Sequence, residues 1–207
     1  NKKNKHISTF KYKDNDIVGM NSDQESNNSF VQRKSIVGQE SVFILGDSMV
    51  RKINDYHMTK DLHHRFLVKV RPFKTAKIVD MVDHVKPTLR DFDPDWIILH
   101  VGTNDLNSSN TASQIAKSLI DVANSIKTYK NHIVISLIVP RNDGLNNKAN
   151  EVNSRLKLMC IDRGFRYIDH HVNIEPQNHL NESKLHLNRS GLKIFEKNFT
   201  NFLYHLF

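Results

Sequence analysis

The chain has 207 residues, 38% of them hydrophobic, and a formal charge of +8 at neutral pH. That length fits one hydrophobic core, and the apolar runs near Val42 and from Ile133 to Val139 are far too short to cross a bilayer. A single cysteine, Cys160, excludes an internal disulfide framework and fits a reducing, intracellular compartment.

Residues 1–40 are dominated by Lys, Asn, Asp and Ser and show no periodic apolar face. Such a stretch cannot bury enough apolar area to offset the entropy of ordering it. It reads as a disordered polar tail or linker ahead of a folded domain over residues 41–207. The start, Asn1-Lys2-Lys3-Asn4-Lys5, lacks both Met and an apolar leader, as an internal piece of a longer chain would. Seven Lys/Arg against five Asp/Glu in the tail leave most of the positive charge on the folded part. That charge is compatible with attraction to nucleic acid or other anionic surfaces, and equally with a solvated lysine-rich surface.

From Val42 the elements alternate. Val42-Phe43-Ile44-Leu45 reads as an interior parallel strand, since such a strand has no polar face. Gly46 then permits a sharp turn into Asp47-Ser48, and a helix is expected from Ser48 to Tyr56. Arg65 to Arg71 reads as a strand. Ile78, Met81, Val82 and Val85 sit at helical spacing, with Pro87 as the expected stop. Asp95-Trp96-Ile97-Ile98-Leu99-His100-Val101 is a second buried strand and runs into Gly102-Thr103-Asn104-Asp105. A helix from Ile115 to Ile126, a strand from His132 to Val139, a helix through Val152, Leu156 and Cys160, and a short strand from Phe165 to Ile168 follow. The last helix carries Leu192, Phe195, Phe199, Phe202 and Leu206 as one stripe, with Asn188 as N-cap. Alternating βα units of this length predict a three-layer α/β/α sandwich on a parallel sheet, flavodoxin-like in type.

A serine after the first strand, an asparagine after a middle strand and a histidine before the last helix stand in a fixed order: Gly46-Asp47-Ser48, Gly102-Thr103-Asn104-Asp105 and Leu185-His186-Leu187-Asn188. This order resembles the GDSL/SGNH hydrolase family over roughly Ser41 to Phe207. The resemblance implies an SGNH hydrolase fold and a serine esterase or acyl hydrolase acting on small carboxylic esters without a cofactor. Ser48 would be the nucleophile and His186 the base, because a neutral hydroxyl needs a base within reach and imidazole titrates near neutrality. The oxyanion would be met by the Ser48 amide, the Asn104 side chain and the amide of the second-block glycine. Asp47, Gly102 and Asp105 would support these loops.

Two departures stand out. The second block reads Arg71-Pro72-Phe73-Lys74-Thr75-Ala76 with no glycine; the glycine position aligns with Thr75, or else with Lys74. A positive φ demanded there would strain threonine. Three residues before His186, where the family usually has aspartate, stands Ser183. A Ser-His dyad slower than a full triad is therefore expected, with Ser183, Glu182 or a backbone carbonyl left to orient the imidazole. SGNH-like domains are also similar to pieces encoded in some non-LTR retrotransposon reading frames beside nucleic-acid-binding modules, which implies an alternative, a catalytically impaired interaction module. Asp169-His170-His171 has metal-ligand chemistry, but the companion aspartate motifs are missing, so a solvated loop is the expectation and no metal is assigned. Cys160 falls on an apolar helical face and reads as a core thiol.

Overall fold

A computed structural model, described over residues 38–130 and 132–206, contains one parallel sheet flanked by helices. Its strands are β1 (Glu40–Gly46), β2 (Phe66–Pro72), β3 (Trp96–His100), β4 (Ile133–Ser136) and β5 (Arg166–Ile168). The helices are α1 (Asp55–Asp61), α2 (Met81–Phe92), α3 (Ala112–Lys127), α4 (Asn146–Arg163), α5 (Pro176–His179) and α6 (Arg189–Tyr204). The spatial order β2-β1-β3-β4-β5 is the flavodoxin-like order expected from the alternation. In that order the chain's progress across the sheet reverses between β1 and β3. The crevice outside their carboxyl ends is where open α/β sheets hold ligands. The predicted tail, residues 1–40, lies outside the described residues as far as 37. No described helix is long and apolar enough to cross a membrane.

Both faces of the sheet are apolar because both are covered. Phe43, Leu45, Ile97, Leu99, Ile133 and Ile135 pack with α2, α3 and α4 on one side. Their neighbours Val42, Ile44, Trp96, Ile98, Val134 and Ile168 pack with α1 and α6 on the other. The period of two thus appears as two cores rather than as an in–out alternation. Each fully buried Leu, Ile or Phe contributes about 1.5–3 kcal/mol, so these central strands anchor everything that follows them. α3 opens on a capping box, Thr111 with Gln114, and α6 opens on Asn188, whose side chain accepts from the Gly191 amide.

Two elements differ from the sequence expectation. The helix expected from Ser48 to Tyr56 is split: a 3₁₀ turn over Ser48–Lys52 ends at Ile53, and Asn54 caps a new helix, α1, by accepting from His57 N. Pro87 does not end α2, which runs on to Phe92 and stops at Asp93 in the left-handed region (φ 42°). The ring removes one backbone donor. The turn beyond it is nevertheless held by buried Thr88, which receives a hydrogen bond from Arg71 and donates to the His84 carbonyl, and by Phe92 packed on Phe43.

The core on the α6 side is not wholly apolar. Asn173 donates to Asn198, which donates to His170 Nδ1 (3.1 Å); His170 Nε2 lies 2.7 Å from Ser136 Oγ, and Ser136 Oγ lies 2.8 Å from His100 Nδ1. Taken from the Asn198 end, the donors and acceptors place the proton on Nε2 of both histidines. His100 Nε2 has no nitrogen or oxygen partner among the described residues, and its ring meets Phe195 edge to face at 4.9 Å. Burial drives His100 down to about 3 and His170 well below the ordinary range, helped there by His100 and His171. The Asp169-His170-His171 segment is therefore not the solvated loop expected. His170 is completely buried, His171 is tied to Asn153, and Asp169 pairs with Lys157. Among the described residues no group of three His, Cys, Asp or Glu side chains could hold a metal ion.

Both histidines titrate lower folded than unfolded, so their contribution to stability is present above about pH 6.5 and is lost as the pH falls below it. Nitrogen-15 NMR of the imidazoles is expected to show both rings neutral, with the proton on Nε2, down to about pH 5. Removing the hydroxyl between them in Ser136→Ala is expected to lower the unfolding free energy by on the order of 3 kcal/mol in urea titrations, because two buried ring nitrogens lose their partner.

Candidate active site

Gly46 is the last residue of β1 and pairs with His100, the last of β3. A Cβ on Gly46 would stand 2.2 Å from the His100 carbonyl oxygen, so the glycine is required by the close approach of two backbones, not by a positive φ. The Asp47 amide then donates to that same carbonyl (3.1 Å), and the Phe73 amide donates to the Gly46 carbonyl (2.7 Å). These bonds join the ends of β1, β2 and β3 into one rim. Asp47, completely buried, accepts from the Met49 amide at 2.9 Å and starts the 3₁₀ turn. Ser48 follows at the head of that turn, half-buried, and its amide has no acceptor among the described residues.

The second block forms a turn. The Ala76 amide donates to the Phe73 carbonyl (3.1 Å) and Thr75 has φ 62°, the position where a type II turn takes glycine. Threonine there is strained by about 1–2 kcal/mol. The strain persists because the next loop holds this one. Asn104 Nδ2 donates to the Ala76 carbonyl (2.9 Å), and Asp105 accepts from the Ile78 amide (3.1 Å). Gly102, at φ 123°, turns the chain out of β3 so that Asn104 reaches across. The Asn104 contact uses one hydrogen of its amide and orients the other. The Thr75 amide, like that of Ser48, has no acceptor among the described residues.

His186 arrives from the loop before α6. That loop is closed by an antiparallel bridge between Leu180 and Leu187 and by Asn181 N to His186 O (2.8 Å). Ser183 Oγ donates to Asn181 Oδ1 and accepts from the backbone amides of Leu185 and His186 (3.3 and 3.2 Å). The serine in the usual aspartate position thus shapes the loop, its hydroxyl bonded to Asn181 and to backbone amides and not to the imidazole. Glu182 is not bonded to it either, and the His186 ring has no hydrogen-bond partner among the described residues.

Ser48 and His186 line one cleft of about 160 Å³, together with Arg51, Lys52, Asn181 and Leu187. Burial pushes the His186 pKa down, and Arg51, Lys52 and Arg141 push it further. Arg141, only 5% exposed, forks onto Asp143 through Nε and Nη2, and its Nη1 has no partner among the described residues. The neighbouring Asn142 amide donates to the Lys184 carbonyl (3.0 Å), which joins this loop to the one bearing His186. Sequence reasoning did not single out Arg51 or Lys52, since two adjacent basic residues after the serine carry no motif, and only the cleft shows what they line. Cys160 lies in the core, where burial pushes the thiol up to about 12, so it is unreactive.

Burial raises the Asp47 pKa to about 6, opposed by the Met49 amide and supported by the nearby Asp105 charge, which burial likewise leaves with a raised pKa. The native state therefore holds more protons than the unfolded chain between about pH 4 and 6, and stability falls as the pH rises through that window. Asp47→Asn keeps an oxygen for the Met49 amide but cannot ionise. Relative to this variant, the wild type is expected to lose about 3 kcal/mol of unfolding free energy between pH 4 and 7, read by denaturant titration at each pH.

Several solved structures share this architecture. A lipase/acylhydrolase from Enterococcus faecalis superposes with a TM-score of 0.69 at 13% identity, over 80% of this chain and 96% of its own. An acetyl-xylooligosaccharide esterase from Geobacillus stearothermophilus gives 0.67 at 13%, over 81% and 95%. A GDSL-family lipolytic protein from Veillonella parvula gives 0.68 at 17%, over 81% and 100%. No curated protein sequence matches the chain. Residues 44–194, from the middle of β1 into α6, match the GDSL-like lipase/acylhydrolase family. With a Gly-Asp-Ser turn at a switch-point rim and a histidine-bearing loop beside it, this chain belongs to that family of ester hydrolases.

Proposed function

We propose that the protein is a serine esterase acting on small carboxylic esters through an acyl-serine intermediate. The observation that carries the reading is the placement of Ser48 and His186 in one cleft at the carboxyl ends of the strands, in a chain of this family. Ser48 Oγ attacks the ester carbonyl while His186 takes its proton. The carbonyl oxygen, now negative, is met by the amides of Ser48 and Thr75 and by the free hydrogen of Asn104 Nδ2. Collapse of the tetrahedral adduct breaks the bond to the alkoxy group, which leaves with the proton from His186. Water then attacks the acyl-serine with His186 again as base, and releases the acid.

Without a carboxylate behind His186 the pair works as a dyad. In serine proteases, losing that carboxylate lowers kcat by about four decades, and the oxyanion hole keeps part of the remainder. Acetyl esters are the reasonable first probes, since acetylated xylooligosaccharides are named for one structural neighbour. Purified protein is expected to be labelled by a fluorophosphonate and to turn over p-nitrophenyl acetate, with both signals lost in Ser48→Ala and in His186→Ala. A folded wild type that does neither sinks the proposal, and salt-dependent binding to RNA or DNA then becomes the measurement for the interaction-module alternative.

The oxyanion hole has its own tests. Asn104→Ala is expected to lower kcat by about 10²–10³-fold, since one donor is removed. Thr75→Gly keeps the amide and relieves the left-handed strain of about 1–2 kcal/mol, against about 0.5–1 kcal/mol of extra backbone entropy in the unfolded state. The variant is expected to be more stable by about 0.5–1 kcal/mol in thermal unfolding, with turnover retained.

A further inference from the structure

The cleft beside Ser48 is cationic in a way the esterase reading does not require. Arg51 and Lys52 occupy the last turn of the 3₁₀ segment, both line the cleft, and both are exposed. Neither forms an ion pair with a described residue, and no described residue lining the cleft is acidic. Arg141 lies near as well, its charge paired with Asp143 and one guanidinium nitrogen buried and unpartnered among the described residues, so the unpaired cations of the cleft are Arg51 and Lys52. The turn that follows His186 carries Arg189 and Lys193 at the head of α6.

This arrangement opposes the chemistry of the site when the cleft is empty of anions. His186 must become an imidazolium as Ser48 attacks, yet the charges that face it are positive and the position that usually supplies a carboxylate holds Ser183. A neutral ester leaves that opposition in place. An ester bearing its own negative group cancels it, binding through Arg51 and Lys52 while returning near His186 the anion the chain lacks.

We infer that the substrate of this site is an anionic ester, one whose acyl or alcohol part carries a carboxylate or phosphate held by Arg51 and Lys52. The inference rests on the hydrolase reading. Because both cations are solvent-exposed, the effect is moderate and screened by salt.

The test uses two matched pairs of esters. Mono-p-nitrophenyl glutarate, with a free carboxylate on the acyl side, is compared with its methyl-capped form; p-acetoxybenzoate, anionic on the alcohol side, is compared with its methyl ester. In at least one pair the charged ester is expected to have a kcat/KM higher by about fivefold or more in dilute buffer, a ratio that shrinks as NaCl is raised to about 0.5 M. The ratio should collapse toward one in Arg51→Gln/Lys52→Gln, with circular dichroism checking the fold, and in the single Lys52→Gln it should fall part of the way. The pH profile is a second readout: the acid limb of kcat, set by His186, should lie at higher pH with the charged ester than with its neutral partner. Ratios at or below one in both pairs, or a preference that survives the double substitution, overturn the inference while fluorophosphonate labelling and neutral-ester turnover leave the hydrolase reading intact. Absence of labelling and of all turnover in folded protein overturns both.

Discussion

The contact between Gly46 and the His100 carbonyl is the constraint on which the site depends. The two residues end β1 and β3, the strands on either side of the point where the sheet order reverses. With no Cβ in the way, the two chain ends close to hydrogen-bonding distance, and the His100 carbonyl takes the Asp47 amide. That bond decides where Ser48 emerges. A methyl group at Gly46 would have to displace backbone, not a flexible side chain, so relief could come only by moving one strand against the other. The same residue reaches the other way, since the His100 ring begins the buried relay to Ser136 and His170. The rim that carries the serine and the polar seam in the core are therefore fixed by one residue.

Much of the architecture could be read from residue order. Strands covered on both faces are solid apolar runs, and the chain shows them at Val42–Leu45 and Trp96–Leu99. The stripe on α6 and the Asn188 cap were equally plain, because both are periodic or positional signals within one element. Pro87 misled because a missing donor is a local penalty, whereas the helix past it is held by Thr88 and Phe92 against β1 and β2, contacts no local rule can see. The Asp-His-His segment misled for the same reason. Polar letters after a strand look solvated, and it takes Ser136 and Asn198, drawn from distant elements, to satisfy His170 inside, with Lys157 and Asn153 tying down Asp169 and His171 beside it.

In the candidate site, the residue types were legible and their relations were not. Thr75 stands in the left-handed region that a glycine would have occupied freely. Its neighbours Ala76 and Ile78 are tied to Asn104 and Asp105, so the loop is over-determined from outside and holds a strained residue. A family pattern can lose its glycine in this way while the turn itself is kept. The serine in the usual aspartate position is a different kind of departure. Ser183 keeps the loop's shape, by accepting backbone amides, and gives up the charge.

That lost charge and the cations at the cleft bear on the same equilibrium. Burial and the positive groups of Arg51, Lys52 and Arg141 push the His186 pKa down, which favours the neutral form that the proposed base requires. Availability is not the difficulty for a serine hydrolase, however; the difficulty is stabilising the imidazolium once the proton has moved. In a full triad the enzyme carries the compensating anion permanently. On the proposed mechanism, Arg51 and Lys52 face solvent at the cleft and no carboxylate stands behind His186, so the electrostatic balance of the Ser48–His186 pair would depend on what enters the cleft. A neutral molecule meets a weak base that resists protonation. A charged one meets two cations and, in binding them, removes the resistance, which ties recognition and proton transfer to the same side chains.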